Sequence, residues 1–272
     1  MNDAIAEQFV RARLDATSLP DFPGSIPATL SIAYALQDRA IALWPDFVAG
    51  WKVGRIDEPW VGRLGEDRLV GPIFRRGIRL APPEQLVEFP VFEGGFAAVE
   101  AEFVFRLGAD APSDKLQWTT EEAAQLAMAM HIGIETAGSP LATINELGSA
   151  VVISDFGNNA GLLLGPAIPD WRRRSFESLK TETFIEGRSV GRGGAMSLPG
   201  GPLASLAFAL SRCARRGMPM KSGYVISTGA TTGVHDIRVG QEARIVFEGC
   251  GELLCRAVPA QKAPSAQKGA RA

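Results

Sequence analysis

Two glutamates separated by one residue are the most chemically suggestive feature of the sequence. They lie in the segment 98–107, where apolar residues alternate and β-branched or aromatic types recur, a pattern that predicts a strand. Because successive side chains of a strand point to opposite faces, we expect Glu100 and Glu102 side by side on one face. Neighbouring carboxylates repel each other, and a hard divalent cation such as Mg²⁺, Mn²⁺ or Ca²⁺ would compensate them. The alternative is an exposed, solvated strand face.

A third carboxylate occurs on a second predicted strand, at residues 131–135. Ile132 and Ile134 face one way on this strand, whereas His131 and Glu135 face the other. Glu135 is therefore a further candidate ligand. His131 is a metal neighbour, a base, or a hydrogen-bonded structural histidine.

Lys52 is the candidate acid–base group. It stands between Trp51 and Val53 at the mouth of a short predicted strand, and Gly50 and Gly54 flank this group of three residues. Glycines let a ligand or another backbone approach closely. Desolvation in such surroundings lowers the pKa of a lysine and would suit it to acid–base catalysis. A solvated lysine at the end of a strand is the alternative.

Two polar, glycine-containing segments are candidates for contact with a small ligand. The segment 156–161 contains Asn158 and Asn159, whose amides can form hydrogen bonds with a ligand, although such residues are also common in turns. The segment 228–233 brings hydroxyl and backbone N–H groups together, as a carboxylate pocket requires. An ordinary polar turn is again the alternative.

The elements that must position these residues are predicted from periodicity and turn residues. Helices are predicted at residues 2–14, 27–41, 59–64, 119–130 and 203–216. Further strands are predicted at 69–74, within 221–229, at 234–239, at 242–247, and as a hairpin in 178–194 that turns at 186–188. Residues 82–90 are expected to form a loop.

Composition narrows the classes of function. The 272 residues carry a formal net charge of −2 and no basic run for a phosphate backbone, so no nucleic-acid partner is expected. No apolar segment is long enough to span a bilayer and the N-terminal sequence has no signal-peptide pattern, so we expect a cytoplasmic protein without a membrane partner. The three cysteines lack metal-type clustering and are expected as reduced thiols.

The order and spacing of these motifs resemble the 2-keto-4-pentenoate hydratase branch of the fumarylacetoacetate hydrolase superfamily. The resemblance covers about residues 27–258, and its most specific segments are 51–54, 99–102, 155–165, 202–204 and 227–229. It implies an α+β fold, a fumarylacetoacetase-like twisted mixed β-roll or barrel with an N-terminal helical subdomain. We accordingly divide the chain into the helical subdomain (1–48), the catalytic β-roll domain (49–258) and a disordered tail (259–272) that lacks an apolar period.

The resemblance implies a metal-dependent enzyme that acts on a small 2-oxo acid and forms a homo-oligomer. It implies that Glu100, Glu102 and Glu135 bind Mg²⁺ or Mn²⁺. It also implies that Lys52 is the acid–base or substrate-polarising group. Four further residues are candidates for contact with the substrate or its attacking water: Arg55, Asn158, Thr228 and Gly229.

The implied reaction is a hydration, as in aromatic meta-cleavage degradation. Water adds to a 2-oxo or 2-hydroxy-dienoic acid and gives a 4-hydroxy-2-oxo acid. A 2-oxo-3-enedioate decarboxylase, which forms the same enolate by losing CO₂, is the alternative. A C–C hydrolase is less favoured, because superfamily hydrolases typically place a histidine before the Glu-x-Glu strand, and the two histidines here are His131 and His235. A non-catalytic protein that binds 2-oxo acids is the remaining hypothesis.

Overall fold

The computed structural model describes residues 2–263, which form two β-sheets with helices packed around them. The helices are α1 (Asn2–Asp15), α2 (Leu30–Leu43), α3 (Trp60–Leu64), α4 (Thr120–Leu126), α5 (Ser149–Ser154) and α6 (Gly201–Arg215). The strands are β1 (Val48–Arg55), β2 (Arg68–Phe74), β3 (Ile78–Leu80), β4 (Leu86–Val91), β5 (Phe96–Leu107), β6 (Ala127–Ser139), β7 (Asn159–Ala167), β8 (Lys180–Ile185), β9 (Arg188–Gly194), β10 (Val225–Ser227), β11 (His235–Asp236), β12 (Glu242–Phe247) and β13 (Gly251–Pro259).

The larger sheet contains the candidate site. Its strands lie in the order β2-β1-β10-β5-β6-β7-β3, and β11 also pairs with β5. The sheet is mixed, because β1 is parallel to β10 and β3 is parallel to β7, whereas β5 is antiparallel to both β10 and β6. It curls into a half-barrel. This curvature brings side chains from strands that are far apart in sequence onto one concave face.

The smaller sheet has the order β4-β13-β12-β8-β9 and is antiparallel except for the pair β4 and β13. Two hydrogen bonds of 2.8 Å join it to the segment that follows β10, one between Thr181 and Thr231 and one between Thr183 and Thr232. These bonds between hydroxyl groups hold the end of β10 against the second sheet.

The central strand β5 is buried on both faces. Phe103 and Phe105 lie in the main core, as the apolar alternation predicts. Glu100 and Glu102 are buried as well, with exposed fractions of 4% and 0%. The alternative of a solvated glutamate face is therefore wrong, and the protein must compensate these charges internally.

The helices at the N-terminus confirm two predictions. α1 and α2 occupy the predicted segments within one to three residues. Phe9 of α1 and Leu36 of α2 belong to the same buried cluster as Phe103 of the large sheet. The division of the chain at residue 48 stays a prediction. None of the helices in residues 2–263 has both the length and the apolar character needed to cross a membrane.

One predicted helix is too long. A capping box begins α4: Thr119 Oγ1 accepts from the Glu122 N–H, and Glu122 Oε2 accepts from the Thr119 N–H. The helix ends at Leu126 instead of about residue 130, because β6 begins at Ala127 and pairs along the whole of β5. Long-range pairing overrides the local helical pattern here.

Two features of the smaller sheet were not predicted. The expected loop 82–90 contains most of β4, whose proline, Pro90, is tolerated because β4 is an edge strand. β13, which pairs with β4 and β12, extends to Pro259. Beyond it, Lys262 Nζ lies 2.8 Å from Asp15 Oδ1. The remainder of the predicted tail, 264–272, lies outside the described residues.

Candidate metal centre and active site

Three carboxylates converge on the large sheet. Glu100 and Glu102 of β5 and Glu135 of β6 each offer an oxygen, and these oxygens lie within 4.8 Å of one another. The antiparallel register places Glu100 opposite Glu135 and Glu102 opposite Gly133. All three carboxylates are buried. The pairing of two adjacent strands therefore builds the cluster that the sequence pattern suggested.

The unpaired carboxylate oxygens suit a hard divalent cation. Glu102 Oε1 and Glu135 Oε2 are buried and have no hydrogen-bond partner among the described residues, which is costly for a carboxylate. Lys52 supplies a single positive charge beside the three carboxylates. Oxygen donors of this kind are the ligands that Mg²⁺, Mn²⁺ and Ca²⁺ prefer. The residues present therefore fit such a cation.

Hydrogen bonds orient two of the three glutamates. Glu102 Oε2 accepts from the Ser227 hydroxyl at 2.5 Å and from the Gly229 backbone N–H at 2.7 Å. Glu135 Oε1 accepts from Asn159 Nδ2 at 3.0 Å. In each glutamate the other oxygen is the one without a partner. Such bonds are the usual means of orienting metal-binding carboxylates.

Lys52 lies beside the carboxylates, on β1. Its Nζ is 3.5 Å from Glu135 Oε1 and 3.3 Å from Asn158 Oδ1. Burial alone would lower the pKa of Lys52, but the negative charges of Glu135, Glu100 and Glu102 outweigh burial and raise that pKa. The predicted lowering is therefore wrong. At neutral pH Lys52 is an ammonium group, which acts as an acid or a hydrogen-bond donor.

The buried glutamates hold protons more tightly than exposed ones. Burial, reinforced by the charge of Glu135, raises the pKa of Glu100 to about 7, although Lys52 opposes the rise. Burial and the charges of Glu135 and Glu100 raise the pKa of Glu102 well above its usual range. A cation that binds here near neutral pH must therefore displace protons.

We expect the affinity for Mn²⁺ to fall by at least about tenfold between pH 8 and pH 6. Protons compete for Glu100 and Glu102, since both have raised pKa values. Folding raises the pKa of the Glu100 carboxyl to about 7. Such a carboxyl stabilises the folded state at low pH, and this contribution to stability is lost as the pH rises through about 7. The cation-free protein should therefore melt at a lower temperature at pH 7.5 than at pH 5.5. Calorimetric titration checks the first result and a thermal scan the second; an affinity independent of pH would contradict the account.

Asn158 is held in an unusual turn. Phe156, Gly157 and Asn158 have φ values of 56°, 65° and 55°, so three successive residues lie in the left-handed region. This conformation costs a non-glycine residue about 1–2 kcal/mol and persists only where the surroundings impose it. The Asn158 amide accepts from Lys52 Nζ and donates to Asn145 Oδ1 at 3.1 Å. Asn145 was not predicted, because nothing in its local sequence distinguishes it.

A cavity of about 1010 Å³ opens beside the cluster. Lys52, Glu100, Asn145 and Asn158 contribute to its wall, together with the segment after β10. The volume is at the upper end of the range of roughly 300–1,000 Å³ that is usual for small-molecule sites. A small ligand can therefore reach the lysine and at least one of the carboxylates.

The other predicted substrate-binding residues have different surroundings. Arg55 lines the cavity, but its side chain is 68% exposed and its Nε lies 2.7 Å from Asp57 Oδ1. Thr228 is buried, and its hydroxyl donates to the Phe103 carbonyl at 2.7 Å. Gly229 gives its N–H to a glutamate of the cluster. Contact of these residues and Asn158 with a substrate stays a prediction.

The histidines lie apart from the cluster. His131 Nδ1 is 2.9 Å from the Gly165 carbonyl, and His131 is not one of the clustered residues. His235 Nε2 contacts Thr232 Oγ1 at 3.1 Å. His131 Nδ1 makes the contact that the structural alternative predicts, whereas its Nε2 is buried without a hydrogen-bond partner among the described residues. The hydrolase hypothesis would have to recruit His131, which is not among the clustered residues.

Solved structures share the fold of this chain. No family model and no curated protein matches the sequence. The 4-oxalocrotonate decarboxylase from Pseudomonas putida G7, complexed with magnesium and adipate, matches with a TM-score of 0.76 at 19% identity over 94% of this chain and 97% of that chain. Fumarylpyruvate hydrolase from Pseudomonas aeruginosa, in complex with Mn²⁺ and pyruvate, matches with a TM-score of 0.57 at 16% identity over 77% and 89% of the two chains.

An isomerase shares the fold as well. The 2-hydroxyhepta-2,4-diene-1,7-dioate isomerase from Mycobacterium marinum matches with a TM-score of 0.54 at 17% identity over 79% of this chain and 77% of that chain. The predicted fold is thereby confirmed. Because a decarboxylase, a hydrolase and an isomerase all share it, the fold by itself does not select one reaction.

Proposed function

We propose that the protein is a hydratase, a lyase that uses Mg²⁺ or Mn²⁺ to add water to a 2-oxo or 2-hydroxy-dienoic acid. The observation that carries the proposal is the group of three buried carboxylates with Lys52 Nζ 3.5 Å from Glu135 at the wall of a cavity. Structural neighbours complexed with magnesium and adipate, or with Mn²⁺ and pyruvate, support this class of chemistry. A homo-oligomer in the cytoplasm stays a prediction.

Glu100, Glu102 and Glu135 are the residues that would hold the cation. When bound, the cation would supply Lewis-acid stabilisation of negative charge on the 2-oxygen and carboxylate of the substrate. The chain supports this through the donors that orient two of the ligands, Ser227 and Gly229 on Glu102 and Asn159 on Glu135.

Lys52 would donate a hydrogen bond or a proton to the substrate 2-oxygen. Its ammonium has three N–H bonds, and Nζ lies within 3.5 Å of Glu135 Oε1 and Asn158 Oδ1 at the wall of the cavity, where a ligand would accept a further hydrogen bond. The Asn145–Asn158 hydrogen bond fixes which end of the Asn158 amide faces Lys52. Asn145 also lines the cavity and would orient the attacking water or the substrate.

The charges of the cavity wall favour a substrate with one carboxylate. Within the described part of the wall, each arginine already has an acidic partner: Arg55 has Asp57, Arg68 has Asp67, and Arg192 has Glu182. A second carboxylate would have to displace one of these acidic partners in order to pair with an arginine. The hydratase substrate has one carboxylate, whereas a 2-oxo-3-enedioate has two.

A 2-oxo-3-enedioate decarboxylase is the second candidate. The match to 4-oxalocrotonate decarboxylase extends over 94% of the chain, compared with 77% for fumarylpyruvate hydrolase. Both reactions need charge stabilisation at the 2-oxygen, so the three glutamates and the lysine would serve either.

We expect 2-hydroxypenta-2,4-dienoate to be hydrated with a kcat/KM at least about tenfold higher than that for decarboxylation of a 2-oxo-3-enedioate. The carboxylates of Asp57, Asp67 and Glu182 would compete with a second substrate carboxylate for the arginines, and a loss of about 1.4 kcal/mol in binding is tenfold. Loss of dienoate absorbance reports hydration and CO₂ release reports decarboxylation, with protein treated with a chelator as the control. Faster CO₂ release would favour the decarboxylase. Binding of both compounds without turnover would contradict an enzyme of either type.

A further inference from the structure

We propose that Arg13 of α1 is a positioning residue for the candidate active site. It holds the turn 155–159, whose side chains contact Lys52 and Glu135. This inference rests on the proposed function, because it assigns Arg13 a role toward the same centre. Arg13 is far from that centre in sequence and was not singled out by any local motif.

One guanidinium group holds both ends of the turn. Arg13 is only 7% exposed, and its Nε and Nη2 contact the two oxygens of the Asp155 carboxylate at 2.6 and 2.8 Å. Nη1 donates to the Asn159 carbonyl at 3.0 Å, and Nη2 donates to the Gly138 carbonyl of β6 at 2.9 Å. The turn is thereby tied at its first and last residues to each other and to the strand that carries Glu135.

The turn contacts both parts of the chemistry. Asn158 Oδ1 accepts from Lys52 Nζ at 3.3 Å, and Asn159 Nδ2 donates to Glu135 Oε1 at 3.0 Å. Asn159 therefore connects Arg13 to Glu135, because its backbone carbonyl accepts from the guanidinium and its side chain donates to the Glu135 carboxylate. A change in the turn would therefore move the candidate acid and one candidate ligand together.

The turn needs such external support. Its three central residues have left-handed φ values, including Phe156 and Asn158, which are not glycines. The Arg13 guanidinium lies 5.1 Å from the Phe156 ring centroid. On the other side, Gly71 of β2 lies so close that a Cβ there would be 2.1 Å from the Phe156 carbonyl oxygen. Strained backbone of this kind keeps one conformation only while its surroundings impose it.

A purely structural role for Arg13 is the competing explanation, since a buried ion pair also anchors α1. Phe9 separates the two explanations. It lies on the same helix, is fully buried, and packs against Phe22 with ring centroids 5.8 Å apart. It belongs to a different buried cluster from Phe156. Phe9→Leu should therefore weaken the attachment of α1 without changing the contacts of the turn.

The experiment compares Arg13→Gln, Arg13→Lys and Phe9→Leu with the unaltered full chain. Arg13→Lys keeps a positive charge beside Asp155 but cannot hold both ends of the turn, so it reports on positioning even where Arg13→Gln fails to fold. Calorimetric titration gives the dissociation constant for Mn²⁺. Mass spectrometry after reaction with an amine-acylating reagent gives the labelling rate of Lys52 in protein without added metal. All measurements are made well below the melting temperature of every variant.

We expect the Arg13 variants to bind Mn²⁺ about tenfold more weakly or worse, as is typical when the partners of metal ligands are removed. The labelling rate of Lys52 should rise several-fold. Phe9→Leu should leave both values within twofold of the unaltered protein. Equal changes in Phe9→Leu, or none in the Arg13 variants, would overturn the inference. If the unaltered chain binds no Mn²⁺, the proposed metal centre fails, and the Lys52 labelling rates alone decide the role of Arg13.

Discussion

Replacement of Lys52 by alanine should lower kcat by about 10²–10⁴-fold, the usual loss when a positioned acid or base is removed. Lys52 is the one described ammonium group beside the carboxylate cluster, and its Nζ lies at the cavity wall. The affinity for Mn²⁺ should stay equal or rise, because the lysine competes with a cation for the negative charge of Glu135, Glu100 and Glu102. Activity should therefore fall without a loss of metal affinity.

Steady-state kinetics and calorimetric titration of the same preparation measure these effects. Lys180→Ala is the matched control, because Lys180 is exposed on β8 and should leave both values unchanged. Near-normal turnover of Lys52→Ala would remove the lysine from the mechanism. A tenfold loss of Mn²⁺ affinity would show instead that Lys52 mainly maintains the geometry of the cluster.

Replacement of Glu102 by glutamine should weaken Mn²⁺ binding by about 100-fold or more and abolish metal-dependent activity. The amide has nearly the same shape, and its oxygen can still accept from Ser227 and Gly229, but it lacks the negative charge. At pH 8 the metal-free variant should melt about 2–4 °C higher than the unaltered protein, because burial beside Glu135 and Glu100 disfavours the ionised carboxyl that the unfolded chain carries, and glutamine has no such cost.

This opposite change in stability and binding distinguishes a metal ligand from a structural glutamate. A glutamate whose carboxylate stabilised the fold would lower the melting temperature when neutralised. Glu121→Gln serves as the control, since Glu121 is exposed on α4 and is not one of the three clustered carboxylates. Unchanged Mn²⁺ affinity in Glu102→Gln, or a lower melting temperature without metal, would contradict the assignment.

The cluster could be predicted from sequence because a strand has a period of two. Alternation alone places Glu100 and Glu102 on one face, and a second alternating segment places Glu135 on a polar face. Their convergence required the register between β5 and β6, which local patterns do not specify. The resemblance to a known family supplied that link, and the matching folds confirm the architecture.

The burial of the glutamates was harder to predict than the face of the strand on which they lie. The groups that contact these carboxylates include Ser227, Gly229 and Asn159, which are remote in sequence from β5. The pKa of Lys52 was predicted in the wrong direction for the same reason. Its sign depends on three carboxylates from other strands, whose attraction outweighs the effect of desolvation.

Contacts between distant elements were not predictable at all. Arg13 and Asp155 are 142 positions apart, and each is unremarkable in its own segment. Likewise β4 and β13 pair as parallel strands although they are far apart in sequence, so neither segment alone indicated the pairing. Such features depend on tertiary packing, which local periodicity does not encode.

The most direct measurement of the central claim is anomalous diffraction at the manganese absorption edge from crystals soaked in Mn²⁺. The account predicts one strong peak at about 2.0–2.4 Å from an oxygen of each of Glu100, Glu102 and Glu135, in the range usual for hard cations. The absence of a peak there, with the three carboxylates turned away from one another, would contradict it.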